Sequence, residues 1–185
     1  DADLEAINIY SDSYNGNKKI MAAAATTEAD YSGNLKTSAT ASGSALNIIG
    51  TVSSFDQTAD VTVYDSQGND YSVTVSWKKC YVDSTTDPAN PVTSWYYEIS
   101  SDDLTVSPSS GYVQFDASGN IITGVTGYDT SPAVTLTPNA TTGAAAFSVA
   151  MDFADIVQKT TSTTADITGS VDGYPAGTLS GISIE

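Results

Sequence analysis

The sequence predicts an all-β fold, an antiparallel β-barrel or sandwich, on three observations. Residues Asp60–Trp77 read DVTVYDSQGNDYSVTVSW, two runs of alternating character on either side of a turn. The wording of that turn, Asp-x-x-Gly-Asn, returns at Asp116–Asn120 between a second pair of strand-like runs. Composition points the same way: 15% charged residues, 14 glycines, 11 tyrosines and many Ser and Thr favour short strands and turns over amphipathic helices. At 185 residues and 40% hydrophobic content the chain has enough apolar surface for a core.

Taken in order, Asp1–Ile20 carries a short apolar piece, Leu4–Ile9, and then the polar, turn-prone SDSYNGNKK, so it reads as peripheral to the core. The run MAAAATTEADYSGNLKTSAT from Met21 mimics a helix through its alanines, but the Thr pair and Gly33-Asn34 argue for extended chain running into a turn. Ala41–Thr58 is loop-like around Leu46–Ile49. In the hairpin, Val61 and Val63 face one way and Thr62 and Tyr64 the other. Across the turn Tyr71, Val73, Val75 and Trp77 share a face opposite Ser72, Thr74 and Ser76. Asp65, first in the turn, is placed to accept backbone N–H bonds, and Gly68, fourth, suits the left-handed conformation of a type I turn followed by a bulge.

Val82–Thr93, with DSTTDPANP, reads as a surface loop, since Pro88 and Pro91 cannot donate to a ladder. Ser94–Ser100 then puts Trp95, Tyr97 and Ile99 on one face, and Tyr112–Asp116 leads through the second turn to Ile121-Ile122. Phe147, Val149, Met151 and Phe153 alternate with Ser148, Ala150 and Asp152 as a half-buried strand. Thr160–Ile167 is a polar extended stretch, followed by the turn residues DGYPAG and a short strand, Leu179–Ile184, outside the main body. If both ends leave the core together, the centre is an insertion into another domain, with termini close in space.

Twenty-two acids against six lysines, with no arginine, give a net charge of −16. Nothing in such a chain can neutralise a run of phosphates, so a nucleic-acid partner is excluded, and an anionic membrane surface is unfavourable. No apolar run approaches the roughly 20 residues that span a bilayer. The start has neither Met nor a signal-like segment, and we read the chain as processed or as a fragment of something longer.

With no histidine, Ser-His-Asp and Cys-His catalysis is impossible, and zinc loses its commonest nitrogen ligand. Carboxylate pairs remain in Asp102 with Asp103, Asp152 with Asp155 and Asp83 with Asp87. Glycoside hydrolysis needs two carboxylates fixed roughly 5–10 Å apart in a cleft, and on this acidic surface we read them as solvated. Calcium fails on register. A loop of the EF-hand type starting at Asp65 needs Gly and Glu where the chain has Asp70 and Ser76, and one starting at Asp116 needs them at Ile121 and Gly127. Cys80, the single cysteine, cannot form an internal disulfide and reads as a lone, partly buried thiol at a strand end. Asn139-Ala140-Thr141 matches an N-glycosylation acceptor, which a Thr-rich chain produces by chance. Trp77 and Trp95 fall in alternating patterns and read as core or barrel-rim residues before a sugar-binding face. No catalytic, cofactor-binding or metal-ligating residue is assigned.

Five segments in order, AAAATTEADYSGNL, VTVYDSQGNDYSVTVSW, VQFDASGNII, FSVAMDF and DGYPAGTLSGISI, together closely resemble the bacterial flagellar hook protein from about Met21 to the C-terminus. The resemblance implies a non-enzymatic structural subunit of the curved, flexible joint that passes motor torque to the filament. It implies an extracellular location in the flagellar hook, reached through the flagellar type III export apparatus, and no cofactor. The expected partners are other copies of the chain and, for the full-length protein, the hook cap, rod and hook–filament junction proteins. On that mapping residues 22–174 are an outer β-domain, and 1–21 and 175–185 are the outgoing and returning parts of an inner one. Some members resembling this family cross-link a cysteine just before an Asn-Leu pair; here that slot is Gly33, so no such cross-link is expected. The competing reading is an extracellular β-sandwich binding module, of adhesin or carbohydrate-binding type.

Overall fold

The computed structural model describes residues 20–43, 52, 54–160 and 166–178. Within them the chain is all-β. The first of two five-stranded sheets grows from the hairpin. Strands β3 (Gln57–Tyr64) and β4 (Asp70–Asp83) pair in the register Val61↔Val73 and Val63↔Tyr71, which puts every apolar residue of the alternation on one buried face. Strands β5 (Val92–Ser100), β7 (Ser110–Phe115) and β8 (Ile121–Ile122) extend it in the order β3-β4-β5-β7-β8, all antiparallel.

The second sheet has the order β11-β2-β10-β9-β6, from β2 (Glu28–Lys36), β6 (Leu104–Ser107), β9 (Ala133–Pro138), β10 (Phe147–Lys159) and β11 (Thr168–Val171). Its central pair, β2 and β10, is parallel, a departure from the all-antiparallel expectation. Parallel neighbours need a long crossover. Here the crossover is the whole of β3 to β9, so β2 waits for its partner until most of the fold has been traversed.

The two sheets approach closure as a barrel. Strand β9 pairs only with Phe147–Ala150 of β10, leaving the far half of that edge open. The turn before β8 fills it: Gln158 N–H donates to the Gly119 carbonyl at 2.8 Å, and Asn120 bridges Val157. On the opposite side β11 lies beside β3, so close that a Cβ on Gly169 would run into Val61. The enclosed core has an aromatic centre. Phe153 meets Tyr97, Tyr31 and Trp77 at ring centroid distances of 5.0, 5.5 and 5.9 Å, in tilted or edge-on geometries that suit the ring quadrupoles.

A third, two-stranded ribbon pairs β1 (Ile20–Met21) with β12 (Gly177–Thr178), antiparallel, in the register Met21↔Gly177. Residues near 21 and 175 are therefore neighbours. Ala24 and Tyr174 exchange two backbone hydrogen bonds of 3.0 Å where the chain enters and leaves the barrel.

Several sequence expectations are corrected. Gly33-Asn34 is not a turn but the middle of β2, and the chain turns later, at Thr37-Ser38. Gly33 (φ +135) lies where the backbone of Asp166 and Ile167 presses in, and a Cβ would stand 2.6 Å from the Asp166 carbonyl oxygen. Asn34 joins β2 to β10 through its side chain, donating to Lys159 O at 3.2 Å and accepting from Lys159 N at 2.6 Å. Strand β4 runs on to Asp83 and β5 starts at Val92, so the loop is 84–91 and not 82–93. Cys80 is fully buried within β4, beside a register shift between Lys79 and Tyr81, and not at a strand end. Strands β6, β9 and β11 have no counterpart in the sequence reading. The expectations for Leu4–Ile9, Leu46–Ile49 and Leu179–Ile184, and most of that for Thr160–Ile167, fall outside the described residues.

Candidate functional site

The two Asp-x-x-Gly-Asn turns are each organised around their aspartate. In the first, Asp65 N–H donates to Asn69 O at 3.1 Å and Gly68 N–H to Asp65 O at 3.0 Å. The buried Asp65 carboxylate accepts four more bonds. Oδ1 takes the N–H groups of Gln67 (2.8 Å) and Asn69 (3.0 Å), and Oδ2 takes Asn69 Nδ2 and Tyr71 Oη, both at 2.8 Å. Burial by itself would raise its pKa, but the bonds from the Asn69 and Tyr71 side chains and the Asn69 and Gln67 backbone outweigh it and hold the carboxyl below its ordinary value. Burial, with the Asp65 bond second, pushes the Tyr71 hydroxyl up. Both carboxylate oxygens are thus engaged, by donors of the turn and by Tyr71 at the start of β4.

Asp116 repeats the backbone pattern, with Asp116 N–H to Asn120 O and Gly119 N–H to Asp116 O both at 2.9 Å. Its side chain makes a sparser set, with Oδ1 accepting from Asn120 N at 2.9 Å and Oδ2 from Asn120 Nδ2 at 3.4 Å. The Asn120 backbone bond is the chief reason its pKa lies below the ordinary value.

A third aspartate, Asp172, ties the chain's exit to its entry. Its Oδ1 accepts from Thr27 N at 2.8 Å and Glu28 N at 3.1 Å, and Oδ2 accepts from Thr27 Oγ1 at 2.5 Å. Burial acts to raise its pKa, yet these bonds prevail and lower it.

The structure sets the carboxylate pairs weighed from the sequence in three different surroundings. Asp83 and Asp87 organise the exposed 84–91 loop. Asp83 accepts from the hydroxyls and N–H groups of Thr86 and Thr85, which depress its pKa, while Asp87 accepts from Asn90 Nδ2 and Ala89 N, with the same direction of shift. Asp102 and Asp103 are exposed between β5 and β6. Asp152 is separated from Asp155 by the register shift in β10 and lies instead within 4.8 Å of Glu28 and Asp30 on an open, solvent-facing part of the sheet. The sequence reading missed that grouping because the parallel β2–β10 pairing creates it. Two clefts are described. One, of about 150 Å³ and lined by Lys36, Ala39, Asp56 and Trp95, has a single carboxylate. The other, of about 420 Å³ between Tyr97, Pro108, Tyr112, Tyr128 and Pro132, has only Asp129.

Trp77 and Trp95 are fully buried and belong to the core, with Trp95 also at the wall of the smaller cleft. Burial pushes the Cys80 thiol up to about 11, which makes it a small core residue and a poor nucleophile. Asn139-Ala140-Thr141 forms the exposed β9–β10 turn, closed by Thr142 N–H donating to Asn139 O at 3.1 Å. Lys79, buried, donates through Nζ to Thr37 O at 2.6 Å, while Asp56 bridges Lys78 Nζ and Lys79 N, both at 2.9 Å. Among the described residues no helix is long and apolar enough to cross a membrane.

Comparison with curated proteins finds no match. Residues 34–174, running from the middle of β2 to the neck residue Tyr174 and so spanning both sheets, match the family described as the flagellar basal body protein FlaE D2 domain. The match covers most of the chain, and the chain belongs to this family of flagellar structural domains.

Proposed function

We propose that the chain is part of a structural subunit of the flagellar hook, the curved, flexible joint that transmits motor torque to the filament. The observation that carries this is the family match across both sheets, residues 34–174. Residues 22–174 serve as the outer domain, while 1–21 and 175–185 belong to an inner domain that the β1–β12 ribbon begins. Pairing of Met21 with Gly177 and of Ala24 with Tyr174 supports that division, because an inserted domain leaves and rejoins its host at one point. The role is mechanical and not catalytic. The subunit's partners are further copies of itself and, in the assembled organelle, the cap, rod and junction proteins, outside the cell after flagellar type III export.

A hook shortens and lengthens each row of subunits once per revolution, so outer domains need contacts that slide. Small, wet, polar interfaces exchange at little cost. The loops 84–91 and 124–131 are exposed or half-buried and rich in Ser, Thr, Gly and Asp, and we assign the axial contacts to them. Charge supports unlike ends. Lys36 and Lys159 are register partners at one end of the β2–β10 pair, and Glu28, Asp30 and Asp152 gather at the other.

Deleting the encoding gene in its own organism is expected to abolish hooks in electron micrographs and swimming in soft agar. Cells that still build hooks without it would overturn the assignment. Removing either loop from the full-length subunit is expected to change hook shape or motility; unaltered hooks in both variants would refute the contact assignment alone.

A further inference from the structure

We propose that the Asp65–Asn69 turn is a strut that fixes the direction in which the β1–β12 ribbon leaves the barrel. A two-stranded ribbon has little stiffness of its own, so its direction is set by what its base rests on. The base rests on Gly68. A Cβ there would stand 3.0 Å from Ala23 Cβ, 3.1 Å from Ala176 N and 3.6 Å from Pro175 Cα, so the turn backbone is in contact with both the entering and the leaving chain.

The turn is rigid enough for that role. Its aspartate accepts four hydrogen bonds, one of them from the buried Tyr71 hydroxyl, and Gln67 Nε2 reaches back to the β9–β10 loop at Gly143 O, 3.3 Å away. The entering strand is seated beside the turn by Thr26, whose N–H donates to Tyr64 O at 2.8 Å and whose Oγ1 accepts from Tyr64 N at 2.9 Å. Asp172, on the leaving chain, accepts from Thr27 N and Glu28 N of the entering one. Asp172 thus ties the two chains to each other while both rest on Gly68, and glycine at 68 is required by this close approach as well as by its φ of +88.

Gly127 separates the two requirements, because it has nearly the same conformation, φ +86, with nothing within 4 Å of the position a Cβ would take. Asn is the non-glycine residue that best tolerates positive φ. Gly68→Asn and Gly127→Asn therefore carry a similar backbone cost, and only the first drives a side chain into the neck. The readouts on the 185-residue chain are amide exchange at Ala24 and Tyr174, and the electron–electron distance between nitroxides on Met21→Cys and Thr62→Cys, with buried Cys80 left in place. Gly68→Asn is expected to speed exchange at both amides about 10-fold or more and to shift or broaden the distance, while amides of β2 and β10 keep their protection. Gly127→Asn is expected to change neither. Unaltered neck exchange and distance in Gly68→Asn, or equal changes in both variants, would overturn the strut. If Gly68→Asn does not fold, Gly68→Ala against Gly127→Ala makes the same comparison with a smaller group.

Discussion

The two Asp-x-x-Gly-Asn turns are nearly identical in sequence and in backbone hydrogen bonds, yet they hold different parts of the molecule together. The turn at Asp116–Asn120 packs inward on the open edge of β10, where Gln158 donates to Gly119 O and Lys159 Nζ donates to Ser118 O, and so helps to close the barrel. The turn at Asp65–Asn69 packs outward on Ala23, Pro175 and Ala176 at the neck. A turn's wording fixes its own geometry; what its glycine touches depends on the strands that happen to stand beside it. The aspartates differ accordingly. Asp65 is buried with four donors on its carboxylate, whereas the half-exposed Asp116 has its backbone bond to Asn120 and one longer side-chain bond.

The largest effect should come from Gly119→Ala. It combines a left-handed φ of +75 with a Cβ driven into the Gln158 carbonyl, so the turn must leave β10, at a cost of about 3 kcal/mol or more in urea denaturation. A loss below 1 kcal/mol would mean the turn does not seal the barrel. Asp65→Ala comes next, at about 2–3 kcal/mol, because it strands buried donors including the Tyr71 hydroxyl; Asp116→Ala should cost about 1 kcal/mol. Equal losses would remove the difference drawn between the two aspartates.

Acid titration sharpens the same point. The folded pKa of Asp65 lies below its unfolded value, so the unfolded chain takes up the proton first as pH falls. The stability this group contributes is therefore complete above about pH 5, and it drains as pH falls through the ordinary carboxylate value of about 4 and on through the lowered folded one. The stability gap between the native chain and Asp65→Asn should shrink over that window. A gap that stays constant with pH would show that the hydrogen bonds do not favour the charged form. The smallest effect is Gln67→Ala, expected within about 0.5 kcal/mol, since its bond to Gly143 O is exposed.

Much of this architecture is legible in the chain itself. Alternation from Val61 to Trp77 fixes which side chains are buried, because a strand's period of two leaves no choice once one face is apolar, and the same holds for Trp95, Tyr97, Ile99 and the Val149–Phe153 run. The 14-residue length of β4 and the strand β9, with Val134 and Leu136 alternating with Thr, carry a similar signal. Gly33-Asn34 misled because its wording suits a turn. Tertiary contact with Asp166 and Ile167 instead requires a glycine inside a strand there. No local pattern discloses the Glu28–Asp30–Asp152 grouping or the neck contacts of Gly68, which join residues far apart in sequence.

By itself the sequence determined the all-β class, the hairpin register, the form of both turns and the absence of histidine-based chemistry, since each of these depends on the residue and its near neighbours. Only the tertiary structure decided the parallel β2–β10 pair, the closure at Gln158 and the seat of the ribbon on Gly68. Those depend on which distant backbones come within hydrogen-bonding or van der Waals reach, a property of the assembled sheets that no stretch of chain carries alone.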